Sequence, residues 1–588
     1  MIRRKPNNAG MILYIVSIVI AMVAIGALTL LALLTTEYEA TLLRGDEIQA
    51  GQLVQSGVEY IAQLIDTPVR ETFTDDGSSG FLSDTNTNPA SALFPDLPAE
   101  LPQLTGYSDN TPQNVFDAAS SAAAYGTSSF FAPQSDTAVN KWYDNPAMFR
   151  GIMVLAPQFS RPVRSAGRFT VFSPRIERNV LRGIRYGLVN ESSRLHLGTV
   201  LQWDLESPGQ GSRSLMKLPG MTPPMADSIL DWIDADKTPR PSGAEFEYYE
   251  RIGVPYRPRN AIPATLEELL LVRDITRRLL FGTDESFSYG AKMSDMQLVQ
   301  AEQKIQDDML FQNIPADDLT TENTPSDNPQ EQSNFFSGLI DENPADTSRL
   351  DSGETETALP WCFLLTTLSA EKLVDPNGNA RIYVNEGDIE FLEKQLRQFL
   401  DTESADFIIQ WRKDKGKVDD MLDLLDAQIS VKEKDNTEKE LKSPFSFDNA
   451  EGTDKFLKLL DYVSDSPTVV IQGRININEA SDIVLSAIPG LDSAKVAKII
   501  GQRSGAENQA NRRHNVWILA EKIVDKETMK KLSKWTTTGG DVYRAQVIGF
   551  FDGQGTVSRA EAVIDSTVKP PRQIFSKDFS MFGSGFIQ

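Results

Sequence analysis

The chain has 588 residues, with 82 acidic against 58 basic side chains, a formal charge of −24 and a pI near 4.7. This length exceeds one compact core, so several units or one domain with large insertions are expected, and the acidic balance disfavours phosphate backbones as partners. One cysteine, Cys362, excludes an internal disulfide, while two histidines, His196 and His514, are too few for a zinc site of Cys and His and lie in no catalytic pattern.

Arg3, Arg4 and Lys5 precede residues 11–34, which contain no charged side chain. As a helix that run is about 36 Å long, enough to cross a bilayer with some tilt. The positive-inside rule keeps its basic end cytoplasmic and sends everything from Glu37 onward to the other side, the periplasm in a two-membrane bacterium. A secretory signal peptide has a shorter apolar region and a small-residue cleavage site, and no such site follows Leu34. Across 37–65 the apolar residues Leu42, Leu43, Ile48, Leu53, Val54, Val58, Ile61, Leu64 and Ile65 recur close to helical spacing. One unbroken helix over 11–66 is predicted, apolar in its first half and amphipathic in its second. A single-span anchor with a helical stalk has the same pattern.

Residues 67–145 are rich in Ser, Thr, Asp, Asn and Pro and read as a polar insertion, partly disordered. Over 146–200 the stretches GIMVLAP, RFTVFSPRI and RGIRYGLVNESSRLHL predict strands of a small sheet. The span 201–283 is predicted to be helical, with LPGM as the turn of a first helical hairpin. It includes DWIDADKTPRPSGAE, where Asp231, Asp234, Asp236 and Glu245 surround a Pro-rich turn. Carboxylates converging on a loop suit Ca²⁺, which takes six to eight oxygen ligands, and Asp234, Asp236 and Glu245 are the candidates. The alternative is a capped, solvated turn in which Arg240 neutralises an aspartate.

Residues 284–358 read as an acidic, disordered linker, and 359–470 as a small α+β unit. In that unit CFLLTTL is expected as a strand, GDIEFLEKQLRQFL as a helix and VKEKDNTEKELK as a charged linker. Asp375, Asn377, Asn379 and Glu386 fall at EF-hand-like spacing, but Ala380 stands where the sharp turn demands glycine, so an Asn-Gly turn leading into RIYVN is the preferred reading. Over 471–540 a second hairpin is predicted: a helix at 480–487, a turn at Pro489 and Gly490, and a return helix at 493–502 with Val496 and Ile499 facing back. DNA-binding hairpins aim turn amides at a phosphate and carry a second glycine two residues after the first, where this chain has Thr222 and Asp492. Structural hairpins without nucleic acid are therefore expected. The span 541–588 closes the sheet with a β-hairpin turning around 552–555, followed by a C-terminal tail.

The leader RRKPNNAG followed by MILYIVSIVI resembles a prepilin signal. In that family a prepilin peptidase cuts after the glycine, here Gly10, and the new terminus, here Met11, is N-methylated. Most pilins carry glutamate at the fifth mature position, where it neutralises the amine of the subunit above, but this chain has Ile15. An unpaired charge in an apolar setting costs about 2.5–3.5 kcal/mol or more, so a subunit with Ile15 suits the filament end, where nothing lies above.

Further segments carry a narrower resemblance. SLMKLPGM, DWIDAD, RPSGAE, YRPRN and LEELLLVRDIT lie within 214–276, RININEASDIVLSAIPGLDSAKVAKIIGQR starts at Arg474, and DVYRAQVIGFFDGQGTVSRAEAVID starts at Asp541. With Ile15 they resemble the K-type minor pseudopilin of the type II secretion system, the general secretion pathway protein K family. The resemblance implies an α+β, pilin-like fold: a long N-terminal helix on a small antiparallel sheet, with a large, mainly helical insertion containing helix-hairpin-helix (SAM-like) units. It implies a non-enzymatic tip subunit of the pseudopilus in export across the outer membrane, and calcium in the helical domain. The expected location is the inner membrane, with one span and a periplasmic head. Expected partners are other minor pseudopilins in a tip complex, the prepilin peptidase, the inner-membrane secretion platform and membrane lipid. A minor pilin-like assembly protein of a type IV pilus and a membrane-anchored helix-hairpin-helix DNA-binding protein are the alternatives.

Overall fold

The computed structural model describes residues 9–66, 143–154, 167–282, 359–432, 438–503, 510–551 and 557–580. Helix α1, Ala9–Asp66, is continuous over 58 residues, as the 11–66 periodicity predicts. Its two halves meet different surroundings. From Val16 to Leu34 the described side chains are exposed, an apolar surface without a protein partner among the described residues. In the second half Ala50, Leu53, Val54, Val58 and Ile61 are buried at steps of three and four, the stripe that lies on the sheet. Full burial of each larger member contributes about 1.5–3 kcal/mol.

That sheet comprises β1 (Ile152–Val154), β2 (Gly167–Glu177), β3 (Val180–Tyr186), β4 (Val189–Asn190), β5 (Val542–Phe551), β6 (Val557–Asp565) and β7 (Arg572–Asp578). The spatial order is β1-β2-β5-β6-β7, with β3 on β2, β4 on β5 and every pairing antiparallel. Val54, Val58 and Ile61 of α1 share a core with Phe169, Val171, Val547 and Ile564. The helix lies close because glycines floor the contact: a Cβ on Gly549 would sit 2.4 Å from the Ala50 carbonyl oxygen, and one on Gly57 2.6 Å from Val547 Cγ1. Strand β7 was expected only as tail; its pairing along β6 from Arg572 makes it the sheet edge.

Between β4 and β5 the chain leaves the sheet, as expected of an insertion, but NESSRLHL does not extend the sheet. Glu191–Ser193 forms a 3₁₀ turn, Leu195–His196 pairs in parallel with Leu365–Thr366, and helix α2, Leu197–Glu206, begins inside the predicted sheet span. The His196 ring fixes that start by accepting the Gly198 amide at 3.1 Å.

The three units expected at 201–283, 359–470 and 471–540 share one core, running from Leu195 through Trp361 and Phe456 to Leu532. Short pairings distant in sequence stitch it together: Ala370–Lys372 with Val470–Gln472, Ile382–Tyr383 with Val463–Ser464, and Ile475–Asn476 with Thr536–Thr537. Trp361 adds a hydrogen bond from its indole to the Pro219 carbonyl at 2.8 Å. Within CFLLTTL only Leu365–Thr366 is strand, since Trp361–Phe363 turns as 3₁₀ helix; the expected helix forms over Ile389–Phe399, capped by Asp388. The described ends of VKEKDNTEKELK are strand. Gln428–Lys432 and Glu438–Lys442 form an antiparallel hairpin with Ile429, buried, facing Leu441. Alternation puts those apolar residues on one face and the exposed Glu440 and Lys442 on the other. Most of the expected insertions at 67–145 and 284–358, and the 552–555 turn, lie outside the described residues.

A buried charge cluster joins insertion and sheet. Glu191, fully buried, accepts from Arg544 of β5 at 2.6 Å and from Thr366, and pairs with Arg194 at 3.2 Å. Arg544 also donates to Glu561 of β6 at 2.5 Å. Burial opposes ionisation of Glu191, yet the Arg194 and Arg544 guanidinia outweigh it and hold the carboxyl at about 2.

Candidate cation site

Helices α3 (Gln210–Leu215) and α4 (Pro223–Ile233) flank the LPGM turn, where Gly220 takes φ +69°. Ala226, Ile229, Leu230 and Ile233 bury the apolar face of α4. The remaining spacing stacks Asp227, Asp231 and Asp234 along the side that meets the Pro-rich loop. Asp227 accepts the Ser242 amide at 3.1 Å and Asp231 the Arg240 amide at 3.2 Å, so the loop is tied to the helix by its own backbone. Gly243 is required there, because a Cβ would lie 1.9 Å from Asp231 Oδ2.

Arg240 divides the carboxylates. Its guanidinium pairs with Asp231 at 2.9 Å, with Asp204 of α2 at 2.9 Å and with Asp234 Oδ2. The neutralising role expected as an alternative is therefore real. It leaves Asp234 Oδ1 buried with no hydrogen-bond partner among the described residues, as is Glu245 Oε1. Asp234, Asp236 and Glu245 each offer a carboxylate oxygen within 4.8 Å of the others, so the fold gathers the three residues proposed from sequence. Helix α5, Phe246–Ile252, holds Glu245 as its N-cap, and Asn260 ties the loop by donating to the Asp236 carbonyl at 2.6 Å. Burial, reinforced by Asp231, Asp234 and Asp236, raises the Glu245 carboxyl to about 7, and burial raises Asp234.

Two orphaned buried oxygens in an all-oxygen donor set are the chemistry of a hard divalent cation, Ca²⁺ or Mg²⁺. Asp204, some thirty positions upstream, had no local signal linking it to this loop, although it supplies one of the three acids on Arg240.

The other singled-out residues are placed differently. Asp375 accepts the amides of Asn377 and Asn379 at 2.9 and 2.8 Å, closing the Asn-Gly turn with Gly378 at φ +83°, while Glu386 accepts the Gly387 amide. These acceptors serve a turn. In the second hairpin α6 (Asp482–Ala487) and α7 (Ser493–Arg503) flank Gly490 at φ +96°, with Val496 and Ile499 buried as expected. Asp492 accepts the Lys495 amide at 2.9 Å, placing a carboxylate where a phosphate would go. At the first hairpin Pro223 and Pro224 remove two amides from the start of α4. His514 is bound to Asp461 at 2.6 Å, and burial pushes the Cys362 thiol up to about 12. The backbone of α1 runs through Gly10, Met11 and Ile15.

Comparison with known proteins adds a family. Residues 206–281 match the family model described as type II secretion system (T2SS), protein K, a span that covers α3, α4, α5 and the whole cation cluster. The chain is also similar to a solved chain described as the GspK-GspI-GspJ complex from the enterotoxigenic Escherichia coli type 2 secretion system, at 11% identity. That likeness covers 72% of this chain and 83% of the other, with a TM-score of 0.23. No curated protein matches the chain.

Proposed function

We infer that this chain is a protein K minor pseudopilin of the type II secretion system, a structural component of the secretion machinery that sits at the tip of the pseudopilus. The observation that carries the reading is the protein K match over 206–281, falling on a segment inserted into a head of one long helix on an antiparallel sheet. In this reading the exposed apolar half of α1 anchors the protein in the inner membrane as a single span, with the head in the periplasm. On extraction it enters the filament core. The insertion between β4 and β5 is large enough to block a further subunit above, and Ile15 offers no carboxylate to such a subunit. Both features favour the tip.

The prepilin peptidase, the secretion platform and membrane lipid belong to the same proposal, as do other minor pseudopilins joined in a tip complex. The two helix–turn–helix pairs are then helix-hairpin-helix (SAM-like) units in a scaffold role. The protein K match disfavours a type IV pilus assembly protein, and Asp492 together with Pro223 and Pro224 disfavours DNA binding. Asp234, Asp236 and Glu245 would hold Ca²⁺, which supplies the positive charge that Arg240 does not bring to Asp234 Oδ1 and Glu245 Oε1.

Processing tests the pilin part of this reading. Protein from its native host is expected to begin at Met11 by mass spectrometry, and Gly10→Val to retain the leader. An intact leader on the wild-type protein would contradict it. Assembly is tested separately: in detergent the chain is expected to co-purify with other minor pseudopilins, and to do so without DNA.

A further inference from the structure

Beside the cation cluster lies a second feature that the pseudopilin reading does not use. A cleft of about 720 Å³ is bounded by Lys237, Phe246, Tyr248, Arg251, Arg257 and Arg273. Four cations meet here on a chain whose formal charge is −24, with Glu245 and Glu247 as the acids on the wall.

The arginines are held by rings. The Arg257 guanidinium lies 4.8 Å from the centre of the Phe246 ring, and those of Arg273 and Arg251 lie 4.9 and 5.8 Å from the centre of the Tyr248 ring. Stacking occupies a guanidinium's face and leaves its N–H edge for an acceptor, a pre-ordered fork for a carboxylate. Arg273 pairs with Asp274 at 3.2 Å, whereas Lys237, Arg251 and Arg257 make no ion pair among the described residues. All three are exposed, and Phe246 and Tyr248 are half-buried beneath the arginines.

We propose that this cleft binds a short, extended acidic segment of a partner protein. Its carboxylates would lie on Lys237, Arg251 and Arg257, and its aliphatic stems on Phe246 and Tyr248. Length is limited by charge. A long polyanion such as nucleic acid feels the repulsion of the whole acidic body, while a few carboxylates inside one Debye length, about 8 Å at physiological salt, feel mainly the local cations. The inference goes beyond the pseudopilin reading and does not need the cation site to be filled.

The test uses the full chain in detergent and a short fluorescent peptide of alternating Glu and Leu, followed by anisotropy at rising salt. Binding that weakens with salt is expected, and the combined Arg251→Glu/Arg257→Glu variant should bind at least about tenfold more weakly. Because both side chains are exposed, its melting temperature should equal that of the wild type. Arg251→Lys/Arg257→Lys keeps the charge without the fork and should bind at an intermediate level. Equal affinity of the glutamate variant would overturn the proposal. So would full displacement of the peptide by millimolar inorganic phosphate or by phosphatidylglycerol vesicles, which would make the cleft a phosphate site. Binding that appears only after the acids of 283–358 are neutralised would also overturn it, by making the chain its own occupant.

Discussion

The helix-and-sheet head and the border that joins it to the insertion it carries rest on different physics. In the head, α1 lies on long antiparallel strands through apolar side chains, with glycines at the closest approaches. The insertion has an apolar core of its own, stitched by two- and three-residue pairings between distant segments, and its border with the sheet adds to the apolar contacts of Ala370 and Phe363 the charge cluster of Glu191, Arg194, Arg544 and Glu561. Apolar contacts tolerate gradual change, whereas buried charge is intolerant of losing one partner. The border should therefore be the more brittle of the two.

Arg544→Ala tests that difference with the largest expected effect. It frees Glu561 and leaves Glu191 in the interior with Arg194 as its remaining cation, and breaking a buried pair this way costs about 3–5 kcal/mol. The pH dependence follows from the same group. Its folded carboxyl is held at about 2, below the ordinary 4.5, so its contribution is complete above 4.5 and is lost as pH falls through 2. Wild-type thermal melts should show this acid loss, and Arg544→Ala, which keeps only Arg194 beside Glu191, should show less of it. A variant as stable as the wild type would show that the insertion is not anchored by charge.

The cation cluster comes next. At a calcium concentration of 100 Kd the native state gains about 2.7 kcal/mol, and the melting temperature of the full chain in detergent should rise. Glu245 sets the sign with pH. Its folded carboxyl is raised to about 7, so its favourable contribution is complete below 4.5 and is lost as pH rises through 7, where the ionised group lies uncompensated. Calcium should therefore raise the melting temperature more at pH 8 than at pH 5. An equal shift in Asp234→Asn/Asp236→Asn would reject the site.

Gly57→Val probes the apolar side of the comparison with the smallest expected effect. The added side chain presses on the buried side chains of Val547 and Phe169 and not on backbone, so overpacking should cost about 1–3 kcal/mol. Should this variant lose more stability than Arg544→Ala, the contrast between the regions would be reversed.

The same contrast explains what the sequence reveals. The period of α1, the strands RFTVFSPRI and DVYRAQVIGFF, and both turns around Pro-Gly are local patterns, and they lie where they were expected. The cation residues were legible because Asp234, Asp236 and Glu245 lie within one loop. Asp204, which shares Arg240, and Arg544, which balances Glu191 from 353 positions away, left no local trace. The shared core of the insertion was hidden for that reason, since Leu195–His196 finds its partner at Leu365–Thr366 only through the fold. In VKEKDNTEKELK charge masked a weaker alternation, and the buried Ile429 opposite Leu441 decided the structure.

The tip assignment is the central claim, and the position of the protein in a filament tests it most directly. Immunogold labelling of pseudopili carrying the wild-type chain should mark one end at very low stoichiometry. Ile15→Glu should label in the same way, because on this proposal the insertion between β4 and β5 would still block a subunit above it. Gold spread along the shaft of wild-type filaments would contradict the assignment.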